Sequence, residues 1–492
     1  MNKSRVEKRE QFVYTIPRFG AMKVPVTLFL SESLLKQVEE EAIDQIVDAA
    51  CLDEDSSVLA TPDIHTGYGV PIGSVLATAG FISPSAVGYD INCGMRLLST
   101  PFEATEAEAR RIAEEIARCI PLGEGKKNLS LSKGELKLVL SRGLDGLESV
   151  LPRFGLVDRE GMSPYELFNE DRERTEDRGS LAGSFEAVPE AAVERGLPQL
   201  GTLGGGNHFL EIQRVASIEN REAAGALGLF EGQLTCMIHS GSRGLGHEVA
   251  GQYMRRAKAY LKEHGVSPPN GQLLFFPAGS REGRQYLGAM NGAANYAFAN
   301  REVMALLIRG AFGRVFGPSS VREIRSVYDV THNMAKEETV EGKLCLVHRK
   351  GATRAFDGAR MKGTGYEGLG QPVLIPGSMG TSSYVLLGHP GSARSLFSVN
   401  HGAGRVMSRT QAAGKGARRK GRKGRGGSAG LITDEDFRKS MEGVHLICED
   451  RRRIKEEAPG AYKDIDEVIR VVLGAGLALP VARLVPLAVL KG

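Results

Sequence analysis

Tryptophan is absent from the 492 residues, and the six cysteines (Cys51, Cys93, Cys119, Cys236, Cys345, Cys448) are scattered with no close pair. The missing indoles argue against an aromatic-rich binding surface, and the scattered thiols suit a reducing compartment rather than a disulfide framework. The N-terminal MNKSRVEKREQF lacks the apolar stretch of a secretion signal. The most apolar run, Val471 to Ala482, is too short to span a bilayer, contains Pro480 and is flanked by Arg470 and Arg483. A cytoplasmic protein with no membrane segment is expected. A diffuse basic face is missing too. The net charge of +4 comes from 63 basic and 59 acidic residues, but Lys415, Arg418, Arg419, Lys420, Arg422, Lys423 and Arg425 fall in one segment. Leaving those seven out sets 56 basic against 59 acidic side chains, so the basic character is confined to one Gly/Arg/Lys loop.

What is present is ordinary globular material, 41% hydrophobic and 25% charged, with 62 glycines. Length alone would allow two to four domains. Strand-like runs (Phe12 to Ile16, Val24 to Leu30, Ser326 to Val330, Leu344 to Val347) alternate with helical periods. Ser33 predicts the start of a helix reaching about Ala50, Thr105 and Glu108 cap another to Cys119, and a long helix is expected over Arg281 to Phe312. In that helix Tyr286, Ala293, Ala297, Met304 and Ile308 should face inward. The charge run Asn169 to Arg178 reads as solvated.

The most informative run is GYDINCGM, Gly88 to Met95, which puts the hard carboxylate of Asp90 three residues from the soft thiol of Cys93. Four histidines stand in similar polar, mostly glycine-rich settings: His208, His239, His332 and His401. Imidazole, thiolate and carboxylate together form a ligand set for zinc, manganese, iron or cobalt, and neighbouring glycines leave room for metal or phosphate. Because the candidates run from Asp90 to His401, a site built from them must be assembled across nearly the whole chain. We therefore expect an α+β fold: one large catalytic domain over residues 1–492, layered mixed β-sheets surrounded by helices, and a metal site on loops and strand ends.

Ten ordered runs extend this pattern: PDIHTGYGVPIG (62–73), GYDINCGM (88–95), LGTLGGGNHFLE (200–211), HSGSRGLG (239–246), DVTHN (329–333), HRKGATRA (348–355), PGSMGTSSY (376–384), NHGAGR (400–405), AYKDIDEV (461–468) and the terminal Lys491-Gly492. In these runs the chain resembles the RtcB-type RNA-splicing ligases, which use GTP and manganese. The resemblance implies two Mn²⁺ ions bridged by Cys93, with Asp90 and His208 on one and His239 and His332 on the other. It implies that His401 takes GMP onto an imidazole nitrogen, with Gly402, Ala403 and Gly404 beside it and His332 also close to the nucleotide. Asn207 would contact the guanylate phosphate, and Glu211, Tyr462 and Lys491 the guanine and sugar. Ser378, Ser383 and the turn carrying His348 and Lys350 would hold the rest of the nucleotide.

Asp63, Arg243 and Arg405, together with Lys415, Arg418 and Arg419, would meet phosphates or RNA. The implied reaction joins RNA 3′-phosphate or 2′,3′-cyclic phosphate ends to 5′-hydroxyl ends through an RNA-3′-pp-5′-G intermediate, in tRNA splicing or RNA repair, with an archease-type activating protein as a further implied partner. One departure from the family pattern is the segment 412–430, longer and more basic than usual; it reads either as a solvated insertion or as an RNA phosphate contact. Two rival classes remain: a metal-dependent phosphodiesterase or phosphatase acting on nucleic acid ends, which needs neither GTP nor His401, and a non-catalytic RNA chaperone resting on the basic loop, which needs no metal.

Overall fold

Runs rich in β-branched residues pair into two large sheets in the computed structural model, which describes residues 2–155, 164–414, 429–451 and 453–492. Among the described residues the first sheet has seven strands, in the order Glu7–Glu10, Val13–Ile16, Val26–Phe29, Ser57–His65, Ile72–Thr78, Lys343–Lys350 and Asn333–Val340. The second has eight. Seven run in the order Arg325–Thr331, Gly94–Glu103, Gln233–Ser240, Phe209–Ile218, Ala478–Lys491, Ser383–Gly388 and Pro372–Ile375, and His445–Cys448 pairs parallel with Ala478–Lys491. Strands from the first hundred residues thus pair with strands beyond residue 320 in both sheets, which is the mixed, layered α+β architecture expected.

The long helix runs Arg281–Phe316. Tyr286, Ala293, Ala297, Met304 and Ile308 are all fully buried, as their spacing predicts. Met304, Ile308 and Phe312 pack with Leu98, Leu210 and Ile238 of the second sheet, whereas Tyr286, Ala293 and Tyr296 pack with Leu136, Leu140 and Tyr253 of neighbouring helices. Among the described residues no helix is long and apolar enough to cross a membrane.

Two local expectations are corrected. The helix expected from Ser33 is two helices, Glu32–Gln37 and Glu40–Ala49, and its cap is Ser31, whose hydroxyl accepts from the Leu34 N–H at 3.2 Å. The break at Val38 and Glu39 buries the valine and frees the Glu39 carboxylate to accept from the Thr66 N–H at 2.8 Å. The charge run 169–178 is not a solvated face. Asp171 and Glu176 are buried, Asp171 against Arg309 and Glu176 against Lys336 and Arg354. Charge runs are normally hydrated because burial is costly, and here the partners come from distant segments that a local reading cannot supply.

Candidate metal centre and nucleotide cleft

In antiparallel strands, chain entries and exits alternate along one edge of a sheet. In the second sheet Thr331 pairs with Gly94, Gly94 with Ser240, His239 with Phe209, and Phe209 with Lys491. That register brings His332, Cys93, His239, His208 and Lys491 to the same end of the sheet, although they span positions 93 to 491. His332 is also the single residue between Arg325–Thr331 of the second sheet and Asn333–Val340 of the first, so it sits at their junction.

There the side chains converge. The Cys93 Sγ lies 3.2 Å from His208 Nε2 and 3.1 Å from His239 Nε2. His208 Nε2 is 2.6 Å from Asp90 Oδ2, and His239 Nε2 is 3.3 Å from His332 Nε2. Two groups of three donors result, Asp90, Cys93 and His208, and Cys93, His239 and His332, and each keeps its ligand atoms within 4.8 Å of one another. Cys93 belongs to both. Gly241 makes room for this packing, since a Cβ there would strike the Asp90 carboxylate.

Apart from Cys93, the donors whose titration is shifted are in the states a divalent cation needs. Burial, and then the neighbouring histidines, push the imidazolium pKa values of His239 and His332 well below the ordinary range, so both rings are neutral. Burial alone would raise the Asp90 carboxyl, but His208 and Arg243 outweigh it and hold it at about 2. Burial and Asp90 push the Cys93 thiol well above its usual value, so a thiolate forms here only when a cation arrives to stabilise it. Hydrogen bonding alone does not satisfy the cluster. The Nδ1 atoms of His208, His239 and His332 are buried with no hydrogen-bond partner among the described residues. Protons placed on them find no acceptor, and with the protons on Nε2 those of His239 and His332 face each other across 3.3 Å while His208 turns its own toward Asp90. The donor set fits two divalent ions sharing one thiolate.

Arg301, from the long helix, holds this arrangement from below. Its Nη1 donates to the Asn92 carbonyl at 2.8 Å and to the Ser240 carbonyl at 3.0 Å, next to Cys93 and His239 respectively. Its Nε and Nη2 meet Asp329, which Arg96 also engages; Arg96 in turn pairs with Glu302. Arg301, Asn92, Ser240, Asp329, Arg96 and Glu302 are all buried. Asn92 adopts a left-handed backbone (φ 53°), a strain this clamp can sustain.

His401 follows the short strand Ser398–Asn400, and its ring centroid is 5.1 Å from that of His332. Its Nδ1 lies 2.6 Å from Asp63 Oδ2, the same oxygen that accepts the His401 main-chain N–H at 3.2 Å. Asp63 is fully buried and also accepts from Thr61 Oγ1 at 2.6 Å. Burial would raise its carboxyl, but His401, Thr61 and Lys463 outweigh it and keep it below the usual value. A carboxylate only accepts, so the His401 proton sits on Nδ1 and the Nε2 lone pair is free. Lys463 donates to the Pro62 and Ile64 carbonyls on either side of Asp63. Gly404, at φ 73°, lies against the Asp63 carbonyl where a Cβ would clash.

A cleft opens beside the cluster. One arm, of about 720 Å³, is lined by Gly205, Gly206, Glu457, Arg453 and Lys491. A second, of about 640 Å³, is lined by Asp90, His208, Arg243, Tyr89 and His247. A third, of about 500 Å³, adds Asn207 and Arg409. Glu124 and Gly205 line all three arms, which makes the cleft continuous.

A family model described as tRNA-splicing ligase RtcB matches residues 45–492. The chain belongs to the RtcB family. It is 40% identical to the tRNA-splicing ligase RtcB of Thermococcus kodakarensis, with 99% of each chain covered. It is 39% identical to that of Archaeoglobus fulgidus over 96% of this chain and 95% of the relative. The RNA-splicing ligase RtcB of Mycobacterium bovis is 40% identical over 88% of this chain and 96% of the relative.

In this RtcB-family chain the remaining predicted residues divide. Lys491 Nζ donates to the carbonyls of Gly206 at 2.6 Å and His208 at 3.0 Å, and burial lowers its pKa to about 8 despite Glu457 nearby. Glu211 is buried, which lifts its carboxyl to about 8, and Gln213 bridges it at 2.7 Å to Ser383 Oγ at 3.1 Å. The Ser378 N–H is turned onto Thr381 Oγ1 at 2.7 Å. Tyr462 bonds Glu457 through its hydroxyl, and Arg405 donates to that hydroxyl at 3.1 Å. Arg243 lines the second arm, its guanidinium donating to Thr202 Oγ1 at 3.2 Å.

Other expectations are corrected. His348 and Lys350 lie in the strand Lys343–Lys350 rather than in a turn. His348 Nε2 accepts from the Ser83 N–H at 3.0 Å, and Lys350 donates to the carbonyls of Tyr68, Val70 and Ser85. With its three donors used, Lys350 has none for a phosphate. The guanidinium of Arg405 turns four of its five N–H groups onto Met407, Glu456, Glu457 and Tyr462, bracing the cleft wall. Lys415, Arg418 and Arg419 lie outside the described residues.

Sequence reasoning missed Arg301, Lys463, Glu457, Arg409 and Tyr89. Arg301 alone carried a signal: it falls four residues after Ala297 on the inward stripe, where a charge needs a partner.

Proposed function

We propose that this protein is a GTP- and manganese-dependent RNA ligase that joins 3′-phosphate or 2′,3′-cyclic phosphate ends to 5′-hydroxyl ends. The observation that carries the reading is the pairing of His401 Nδ1 with Asp63 at 2.6 Å beside a cluster in which one thiol is shared by two donor groups. Asp90, Cys93 and His208 would hold one manganese ion, and Cys93, His239 and His332 the other. When bound, two such ions supply Lewis-acid neutralisation of phosphate oxygens.

The chain's own groups do the rest. His401 Nε2 attacks the α-phosphorus of GTP; a P–N bond forms, the bond to pyrophosphate breaks, and Asp63 stabilises the cationic ring through the retained Nδ1 proton. GMP then passes from His401 to an oxygen of the RNA 3′-phosphate, restoring the neutral imidazole. The 5′-hydroxyl oxygen attacks the RNA phosphorus, forms the new phosphodiester and releases GMP. A 2′,3′-cyclic phosphate is first opened by water. Asn207, Glu211, Ser378, Ser383, Tyr462, Lys491 and the 401–404 segment are proposed to seat the nucleotide, and Arg243 a phosphate.

The names of the relatives, tRNA-splicing and RNA-splicing ligases, support RNA as the substrate class. The test is sealing of an RNA with a 3′-phosphate to one with a 5′-hydroxyl, with and without GTP. Sealing that requires both GTP and manganese is expected. Loss of the terminal phosphate without sealing, independent of GTP, would assign the site to a phosphatase instead.

A further inference from the structure

Tyr89 is 39% exposed, one residue before Asp90, and the proposed guanylyl transfer does not use it. Its ring stacks on the imidazole of His247, with centroids 5.0 Å apart and planes 25° apart, while Tyr68 meets it edge-on at 6.0 Å. His247 is itself exposed and comes from the second turn of the helix Arg243–Glu263. Both rings line the same arm of the cleft as Asp90, His208 and Arg243. One end of the cleft therefore presents metal-ligand candidates, a guanidinium and two stacked, exposed rings.

Tyr253, Tyr286 and Tyr296, by contrast, are buried. An exposed ring held flat by a second ring in a polar cleft offers a π face to a planar partner. Nucleobases stack on such faces whatever their identity, and single-stranded ends are the form of RNA whose bases are free to do so. Asn207 and Lys491, proposed for the guanylate, line the other two arms, which leaves this arm to the other substrate. We propose that the Tyr89–His247 pair is a stacking platform for the terminal nucleobase of an RNA end reacting at the cluster. The proposal rests on the ligase reading for the class of substrate and adds a pair of residues that positions the end.

The test uses the full chain with manganese and no GTP, so it does not depend on ligation occurring. RNAs carry 2-aminopurine at the 5′-hydroxyl terminus in one arm and at the 3′-phosphate terminus in the other. Binding should quench the fluorophore in at least one arm and thereby say which end stacks. Y89A should abolish that quenching and Y89F should keep it. For the wild-type protein, making the stacked terminal nucleotide abasic should weaken binding by about 5- to 150-fold, the range of one base–aromatic stack. Quenching in neither arm, quenching unchanged in Y89A, or equal affinity for intact and abasic ends overturns the platform. The labelled-GTP adduct described below tests the ligase reading separately.

Discussion

Asp63 accepts both the ring and the main-chain N–H of His401, so its carboxylate decides which imidazole nitrogen is free. Asp63→Ala should leave manganese binding intact and lower the rate of GMP adduct formation by roughly 10²- to 10⁴-fold, the scale of a lost proton-positioning partner. Stopped-time labelling alongside elemental analysis separates the two effects, and a full-rate adduct would remove Asp63 from the mechanism. Glu211 gives a different kind of prediction. Burial lifts its folded-state carboxyl to about 8, above the unfolded value, so between pH 4.5 and 8 the folded protein binds more protons than the unfolded chain and stability falls as pH rises. Glu211→Gln removes that titration and keeps an acceptor for Gln213. In the metal-free, GTP-free protein the loss of unfolding free energy from pH 5 to pH 8 should shrink by about 2–4 kcal/mol. Lys491, lowered to about 8, has its midpoint at the upper edge of this window and is present in wild type and variant alike. Denaturation curves at the two pH values that shift equally in wild type and variant would show that Glu211 is ionised throughout.

The long helix Arg281–Phe316 is the element on which the centre rests, because Arg301 grips the carbonyls of Asn92 and Ser240. Arg301→Met should cost about 3–5 kcal/mol, the range for breaking a buried ion pair from one side, and should lower manganese occupancy although no proposed ligand is touched. Chemical denaturation and metal content measure the two; unchanged metal content would confine Arg301 to folding. At this scale the sequence was partly legible. Apolar spacing identified the inward face of this helix, and local cap chemistry placed the helix ending at Cys119, because those signals lie within a few residues of one another. The break at Val38 and Glu39, the burial of Asp171 and Glu176, and the engagement of Lys350 were not legible, since each depends on partners from segments far away in sequence. The convergence of Asp90, Cys93, His208, His239 and His332 was suspected from their residue types and neighbours and from family motifs. The register that delivers it, Thr331 to Gly94 to Ser240 and His239 to Phe209, could not be read from local patterns.

Over the whole molecule, the segment 412–430 turns a slightly acidic chain into a basic one. If its seven cationic residues meet RNA, deleting 415–428 should weaken binding of a 3′-phosphate RNA and reduce the slope of log affinity against log salt by about 0.7 for each phosphate released. GMP adduct formation should be unaffected. Identical slopes would make the segment a solvated insertion, and impaired adduct formation would tie it to the cleft. The proposed activity depends on one bond, between phosphorus and a nitrogen of His401. Incubation with α-phosphate-labelled GTP and manganese, followed by acid and hydroxylamine treatment and peptide mapping, tests it directly. The wild-type protein should carry an acid-labile label on His401, and His401→Ala should bind manganese normally yet take up no label. Label retained by His401→Ala, or no label on the wild type under these conditions, would contradict the account.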